Sequence, residues 1–221
     1  SREPVDPQAQ LLKVERAEDD IDDVVRLGHG QKVVGFGYVD DRRRVTYFDD
    51  ELSKLAASLG KALPGGQTVH FEGATADAGK LLVFATGDTQ PGAYYLLDRN
   101  TRQLATVAEV RPELEKRVLA PVKTISFAAS DGVRIPAYLT LPAGSTGKNL
   151  PTVVLPHGGP AARDEWGFDW LAQFLAARGY AVIQPNYRGS SGYGQAWLGQ
   201  NGFREWRKAL GDISSAARFA V

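Results

Sequence analysis

The stretch Pro151-Thr152-Val153-Val154-Leu155-Pro156-His157-Gly158-Gly159-Pro160 decides the reading of this 221-residue chain. An apolar run from Pro151 to Leu155 feeds straight into a histidine, two glycines and a proline. A helical pattern follows at Phe168 to Arg178. Glycines at 158 and 159 let the backbone turn so that an N–H faces a ligand, and Pro160 fixes the direction in which the chain leaves. Donors placed in this way stabilise the charge that develops on a carbonyl oxygen in acyl transfer. The tetrapeptide alone also fits a plain glycine-rich turn; the strand before it and the helix after it favour the oxyanion reading.

Working outward, the helix at 168–178 carries Leu171, Phe174 and Leu175 on one side, with Gly179 as its stop. Tyr180 to Gln184 reads as a buried strand, and Trp206 to Val221 as a helix with Leu210, Ile213, Ala217 and Val221 on one face. Upstream, Lys123 to Ala129 and Val133 to Leu141 flank the turn Ser130-Asp131-Gly132, a β-hairpin. Hairpin, strand, helix, strand, helix is the opening of an α/β fold with a mostly parallel sheet.

The chain changes character near residue 120, and all four tryptophans (Trp166, Trp170, Trp197, Trp206) lie after that point. Before it, Lys32 to Val39 and Arg44 to Phe48 read as strands joined by the turn Asp40-Asp41-Arg42-Arg43. Asp50 to Leu63 has helical spacing (Leu52, Leu55, Ala56, Leu59) behind an aspartate cap, and Pro64-Gly65-Gly66 ends it. Four more strands follow at Thr68 to Glu72, Leu81 to Thr86, Ala93 to Asp98 and Gln103 to Val107. Four short antiparallel strands make one blade of a β-propeller or part of a sandwich. The sequence supplies one blade and part of another, and Arg111 to Pro121 reads as a linker with a short charged helix.

Lys+Arg and Asp+Glu are both 26, so nothing points to nucleic acid or an anionic membrane. The acidic cluster Glu18, Asp19, Asp20, Asp22, Asp23 and the basic run Arg42, Arg43, Arg44 read as solvated faces or turns. With no cysteine, disulfides, thiolate metal sites and cysteine nucleophiles are excluded. No metal or cofactor is expected. No apolar run approaches a membrane span and no signal peptide is visible, so the reading is a soluble protein, cytoplasmic or periplasmic. The chain begins at Ser1 and contains no Met, and it reads as a piece of a longer product.

His157 invites assignment as a general base, but a base must be oriented by an acid and must reach a nucleophile. In α/β-hydrolases the histidine comes last in chain order, after a G-x-S-x-G elbow. No such elbow occurs in these 221 residues, so His157 reads as a loop-shaping or substrate-facing residue. His29 and His70 read as structural or exposed. The loop Pro185-Asn186-Tyr187-Arg188-Gly189-Ser190-Ser191-Gly192-Tyr193-Gly194 leaves the C-terminal end of a strand, where open α/β sheets place their sites. It fits a substrate-side loop, and equally a tight turn whose arginine pairs with a carboxylate. Neither Ser190 nor Ser191 has glycine at both −2 and +2, so neither is a good nucleophile candidate.

P-H-G-G-P, then a helix, then R-G-Y-A-V-I-Q-P-N-Y-R-G-S-S-G-Y-G and G-D-I-S-S-A-A-R-F, resembles the prolyl oligopeptidase family of serine peptidases, in its dipeptidyl-peptidase-like and acylaminoacyl-peptidase-like branch. The match covers roughly Val122 to Val221, and Y-Y-L-L-D-R-N-T at 94–101 has the look of a propeller hairpin. The resemblance implies an incomplete α/β-hydrolase fold preceded by propeller blades. Residues 1–110 would be the C-terminal part of a propeller, 111–121 a linker, and 122–221 the N-terminal part of the catalytic domain. It implies that His157 to Pro160 is the oxyanion loop, that Gly159 supplies a backbone N–H and that position 157 faces the site. Gly158, Tyr187 and Arg188 would lie on the substrate side. Asp212 would be structural, with the nucleophile, acid and base beyond Val221. The implied partners are a peptide substrate and the remainder of the same protein. An esterase of the same fold and a non-catalytic propeller-type binding fragment are the alternatives. The isolated chain is expected to be inactive and poorly stable, because a half-built sheet and a lone blade expose apolar edges.

Overall fold

A computed structural model describes residues 19–159, 161–200 and 205–220. The expectations for Glu18, Pro160 and Val221 lie outside the described residues. The described residues form three sheets. In the first, β1 (Ile21–Leu27), β2 (Lys32–Val39) and β3 (Arg43–Tyr47) run antiparallel in sequence order. Sequence reasoning missed β1 because Asp22 and Asp23 interrupt its alternation; only Leu27 is buried along it.

The helix α1 (Asp50–Ala62) follows, and the Asp49 carboxylate accepts from the Glu51 and Leu52 amides to cap it. Asp50 and Glu51 in the first turn favour the positive end of its dipole. The second sheet is a four-stranded antiparallel meander of β4 (Thr68–Ala74), β5 (Lys80–Thr86), β6 (Ala93–Asp98) and β7 (Gln103–Glu109). Its inward residues Val69, Phe71, Leu81, Val83, Ala85 and Leu97 pack with Leu27, Tyr47 and Leu52 into one core. The first sheet and α1 thus cover one face of the meander. A bulge in β4 lies between Phe71 and Gly73, and the Phe71 amide donates to the Tyr47 hydroxyl at 3.3 Å. Burial of that hydroxyl pushes its pKa up to about 12.

Pro112–Leu114 forms a single turn of 3₁₀ helix in the connecting segment. The side chain of Gln173 then binds Ala120 as a neighbouring strand would. Its Oε1 accepts from the Ala120 amide at 2.8 Å and its Nε2 donates to the Ala120 carbonyl at 2.7 Å.

The third sheet contains β8 (Val122–Ala128), β9 (Arg134–Thr140), β10 (Thr152–Val154) and β11 (Ala181–Pro185) in the order β10-β11-β9-β8. It is mixed rather than mostly parallel: among the described residues β10 and β11 pair parallel, whereas β11–β9 and β9–β8 are antiparallel. The hairpin supplies the antiparallel part, and the crossover helix α2 (Trp170–Ala177) permits the parallel part. The short helix α3 (Gln195–Leu198), unforeseen from sequence, and α4 (Trp206–Phe219) complete the chain. Ile183 of β11 packs with Phe127, Ile135, Ala137 and Ala216 of α4. Its neighbour Gln184 points the other way, so the sheet is covered on both faces.

Both helices turn faces to the sheet that differ from the apolar stripes of the sequence. In α2 the buried residues are Ala172, Gln173 and Ala176, while Phe174 is half exposed beneath the Arg178 guanidinium. Two alanines let the helix approach closely, and Gln173 is needed inside to bind Ala120. In α4 the buried residues are Ala209, Asp212, Ser215 and Ala216, while Leu210 and Ala217 are exposed. The buried partner of Asp212, described below, sets that rotation. No described helix is long and apolar enough to cross a membrane.

Candidate active site

Because β10 and β11 are parallel neighbours, the loops that follow them leave the same edge of the sheet. This is the position at which open α/β sheets bind ligands. The pairing continues for one more residue, with the Leu155 amide donating to the Ile183 carbonyl at 2.8 Å. The chain then enters the glycine turn.

Gly159 has φ +131°, and a Cβ there would lie 2.8 Å from the Ala162 nitrogen and 3.0 Å from the Ala161 nitrogen. Only glycine fits that turn. Gly158 meets no such obstacle. Both glycines are exposed, and among the described residues no protein group accepts either N–H. Two adjacent donors therefore stand open at the strand end.

The His157 side chain packs against the loop after β11. Its ring stacks on Tyr187 at 4.5 Å and 14°. Its Nε2 lies 2.8 Å from Ser190 Oγ. Ser190 is fully buried and donates its own proton to the Tyr187 carbonyl at 2.6 Å, so Nε2–H is the donor toward Ser190. Burial, aided by Arg163, lowers the His157 pKa, against the pull of the Gly158 carbonyl beside Nδ1 at 2.9 Å. Among the described residues no carboxylate hydrogen-bonds to this ring, so it lacks the orienting acid of a general base. The ring is a peg holding the glycine turn on the second loop. Tyr187 reinforces it by donating its hydroxyl to the His157 carbonyl at 2.9 Å.

Arg188 turns away from the glycines. Its backbone amide and Nε both donate to Asp212 Oδ2 at 3.0 Å, and one terminal nitrogen donates to Asp212 Oδ1 at 2.6 Å. The other reaches Asp131 Oδ2 at 2.6 Å. The Arg188 and Asp212 side chains are 6% and 0% exposed. Hydrogen bonding to Asp212 raises the arginine pKa, and Arg188 holds Asp131 below the usual carboxylate range.

Three residues that sequence reasoning did not single out complete the arrangement. Asn186, fully buried, accepts from the Asp164 amide at 2.8 Å and donates to the Asp164 carbonyl at 3.0 Å and the Tyr193 hydroxyl at 2.7 Å. Arg163 stands over the Tyr193 ring at 4.3 Å. The Asp164 carboxyl receives one bond from Gln184 at 3.3 Å, and its Oδ2 is buried with no partner. Burial, with Asp169 nearby, pushes its pKa up to about 6. The local hint was the charged run Arg163-Asp164-Glu165 in the approach to α2.

The basic run and the acidic cluster are not simply solvated. Arg43 pairs with Glu165 and Asp22, each at 2.6 Å, and Arg42 covers the Trp166 ring at 3.6 Å. Asp20 accepts from the Gly192 amide at 3.0 Å. The β2–β3 turn and the start of β1 thus bind the two site loops. Among the described residues no group of three or more His, Asp or Glu is placed to hold a metal ion.

Residues 166–221 match the prolyl oligopeptidase family. The dipeptidyl aminopeptidase BIII of Pseudoxanthomonas mexicana is 36% identical over 179 residues, covering 77% of this chain and 25% of that protein. The chain belongs to the prolyl oligopeptidase family. Another relative, dipeptidyl peptidase family member 6 of Caenorhabditis elegans, is 35% identical over 167 residues, 66% of this chain and 22% of that protein. This prolyl oligopeptidase-family chain therefore spans about a quarter of the length of the curated relatives it matches. In fold it is similar to a puromycin-hydrolyzing peptidase from Mycobacterium tuberculosis. The TM-score is 0.68 at 21% identity, covering 93% of this chain and 33% of that one.

Proposed function

We propose that this chain is part of a serine peptidase that hydrolyses short or acylated peptides through an acyl-enzyme, and that it contributes the oxyanion loop. The N–H groups of Gly158 and Gly159 at the C-terminal end of β10, which meet no acceptor among the described residues, carry the reading. A carbonyl oxygen that gains charge as a serine attacks needs preorganised donors of this kind, and Gly159 N–H is the donor assigned here. His157, Tyr187 and Ser190 hold the turn, and Arg188 orders the neighbouring loop from inside through Asp212. Nucleophile, acid and base come from residues outside these 221; no serine in the chain stands in a G-x-S-x-G elbow.

The same reading divides the chain into domains, and the separation of the third sheet from the first two supports it. Residues 1–110 are the C-terminal part of a propeller, 111–121 the linker and 122–221 the first part of an α/β-hydrolase catalytic domain. The meander β4–β7 serves as one blade and β1–β3 as part of another.

A fluorophosphonate probe tests the reading. The complete gene product should be labelled and should cleave short peptides, whereas the 221-residue chain alone should not be labelled. Labelling of the isolated chain would overturn the assignment of the nucleophile to residues elsewhere. Labelling of the complete product with ester but no peptide hydrolysis would favour the esterase alternative.

A further inference from the structure

We propose that Arg163 is a positioning residue: it ties the Gly158–Gly159 turn to the β2–β3 turn of the first sheet, so that the N-terminal part of the molecule sets the geometry of the backbone donors. The proposal rests on the oxyanion reading of that turn. All five guanidinium N–H groups are matched. Nε donates to the Asp164 carbonyl at 3.2 Å. One terminal nitrogen donates to the carbonyls of Val39 at 3.2 Å and Gly192 at 3.3 Å. The other donates to the Asp40 carbonyl at 3.2 Å and the Tyr193 hydroxyl at 2.9 Å. The acceptors belong to three segments: the end of β2 with the turn after it, the loop of Arg163 itself and the loop after β11. None is a carboxylate, so the side chain reads positions of oxygen atoms rather than a charge.

Only arginine offers five donors in one rigid plane, so lysine cannot reproduce the junction. Gly192 is shaped to admit it, since a Cβ at 192 would lie 2.5 Å from an Arg163 nitrogen. The neighbours of Arg163 are fixed in the same two directions. Toward the loop after β11, the Ala162 carbonyl accepts from the Ser191 amide at 3.0 Å, and Asn186 grips both backbone groups of Asp164. Toward the first sheet, Glu165 pairs with Arg43, and the Trp166 amide donates to the Asp41 carbonyl at 3.3 Å. Only three residues separate Arg163 from Gly159, and the tight approach of Ala161 and Ala162 to Gly159 leaves little slack.

The test uses Arg163→Gln, Arg163→Lys and Arg42→Ala in the complete gene product. The last removes only the stack on Trp166 and preserves folding if Arg163 variants do not. Peptide kinetics and hydrogen exchange of the segment 155–162 are measured together. Each Arg163 variant should lower kcat at least about tenfold with KM within about threefold, the pattern of misplaced transition-state donors. Exchange in 155–162 should speed up selectively, and Arg42→Ala should show the same signs more weakly. Folded variants with kcat and exchange within about twofold of the parent would overturn the proposal, as would full rescue by lysine. Faster exchange spread evenly over the third sheet would also overturn it, showing general loosening instead. If the parent cleaves no peptide, the peptidase reading fails, and the exchange pattern still decides the coupling.

Discussion

Replacing Asp212 with alanine removes a carboxylate that accepts three hydrogen bonds from Arg188 in a fully buried setting. The guanidinium stays behind, also buried, with only the half-exposed Asp131 as counter-charge. Breaking a buried pair on one side costs about 3–5 kcal/mol, because the remaining charge has lost both its partner and its water. In a chain of this size that corresponds to roughly 6–20 °C in Tm. Asp131→Ala removes a carboxylate that is 50% exposed and should cost far less than Asp212→Ala. The double variant Arg188→Met, Asp212→Leu leaves no orphaned charge and should lose less than Asp212→Ala alone. Thermal or urea unfolding of the four proteins reads the series directly. The reasoning is refuted if Asp212→Ala unfolds within about 1 kcal/mol of the parent, or if the double variant is the less stable of the two.

Two further outcomes follow from the site. The Asp164 pKa is raised to about 6 from 3.8, so its ionisation opposes folding: stability falls as pH rises from 3.8 through 6 and stays reduced above. Asp164→Asn removes that penalty and should stabilise the protein by up to about 3 kcal/mol at pH 8 but little at pH 4. Equal urea midpoints of variant and parent at pH 8 would contradict this. Tyr187→Phe keeps the ring stacked on His157 but loses the bond to the His157 carbonyl, and should cost about 1 kcal/mol in unfolding. Tyr187→Leu loses the stack as well and should cost about 1 kcal/mol more; equal losses in the two variants would show that the stack contributes nothing.

What could be read from the sequence was what local pattern encodes. β2 and β6 fall where alternation and turn residues place them, α1 begins at its aspartate cap, and the glycine turn joins β10 to the approach of α2. What could not be read depends on partners distant in sequence. β1 is recognisable as a strand only beside β2, because its own aspartates mask it. The rotation of α4 is set by Arg188, which no helical stripe announces. His157 reads from sequence as loop-shaping or substrate-facing, and the residues its ring meets, Tyr187 and Ser190, lie about thirty positions on. Arg42, Arg43 and Arg163 look like surface charges until the chain brings residues near 40 against those near 165, more than 120 positions apart.

The central claim is that Gly159 presents its N–H to a developing oxyanion, and Gly159→Ala in the complete gene product tests it most directly. A Cβ there meets the Ala162 nitrogen at 2.8 Å and opposes φ +131°, so the turn must move while the rest of the fold, exposed at this point, need not. The account predicts that kcat for peptide hydrolysis falls about 100-fold or more with KM changed only a few-fold. A folded Gly159→Ala protein whose kcat stays within about threefold of the parent would contradict it.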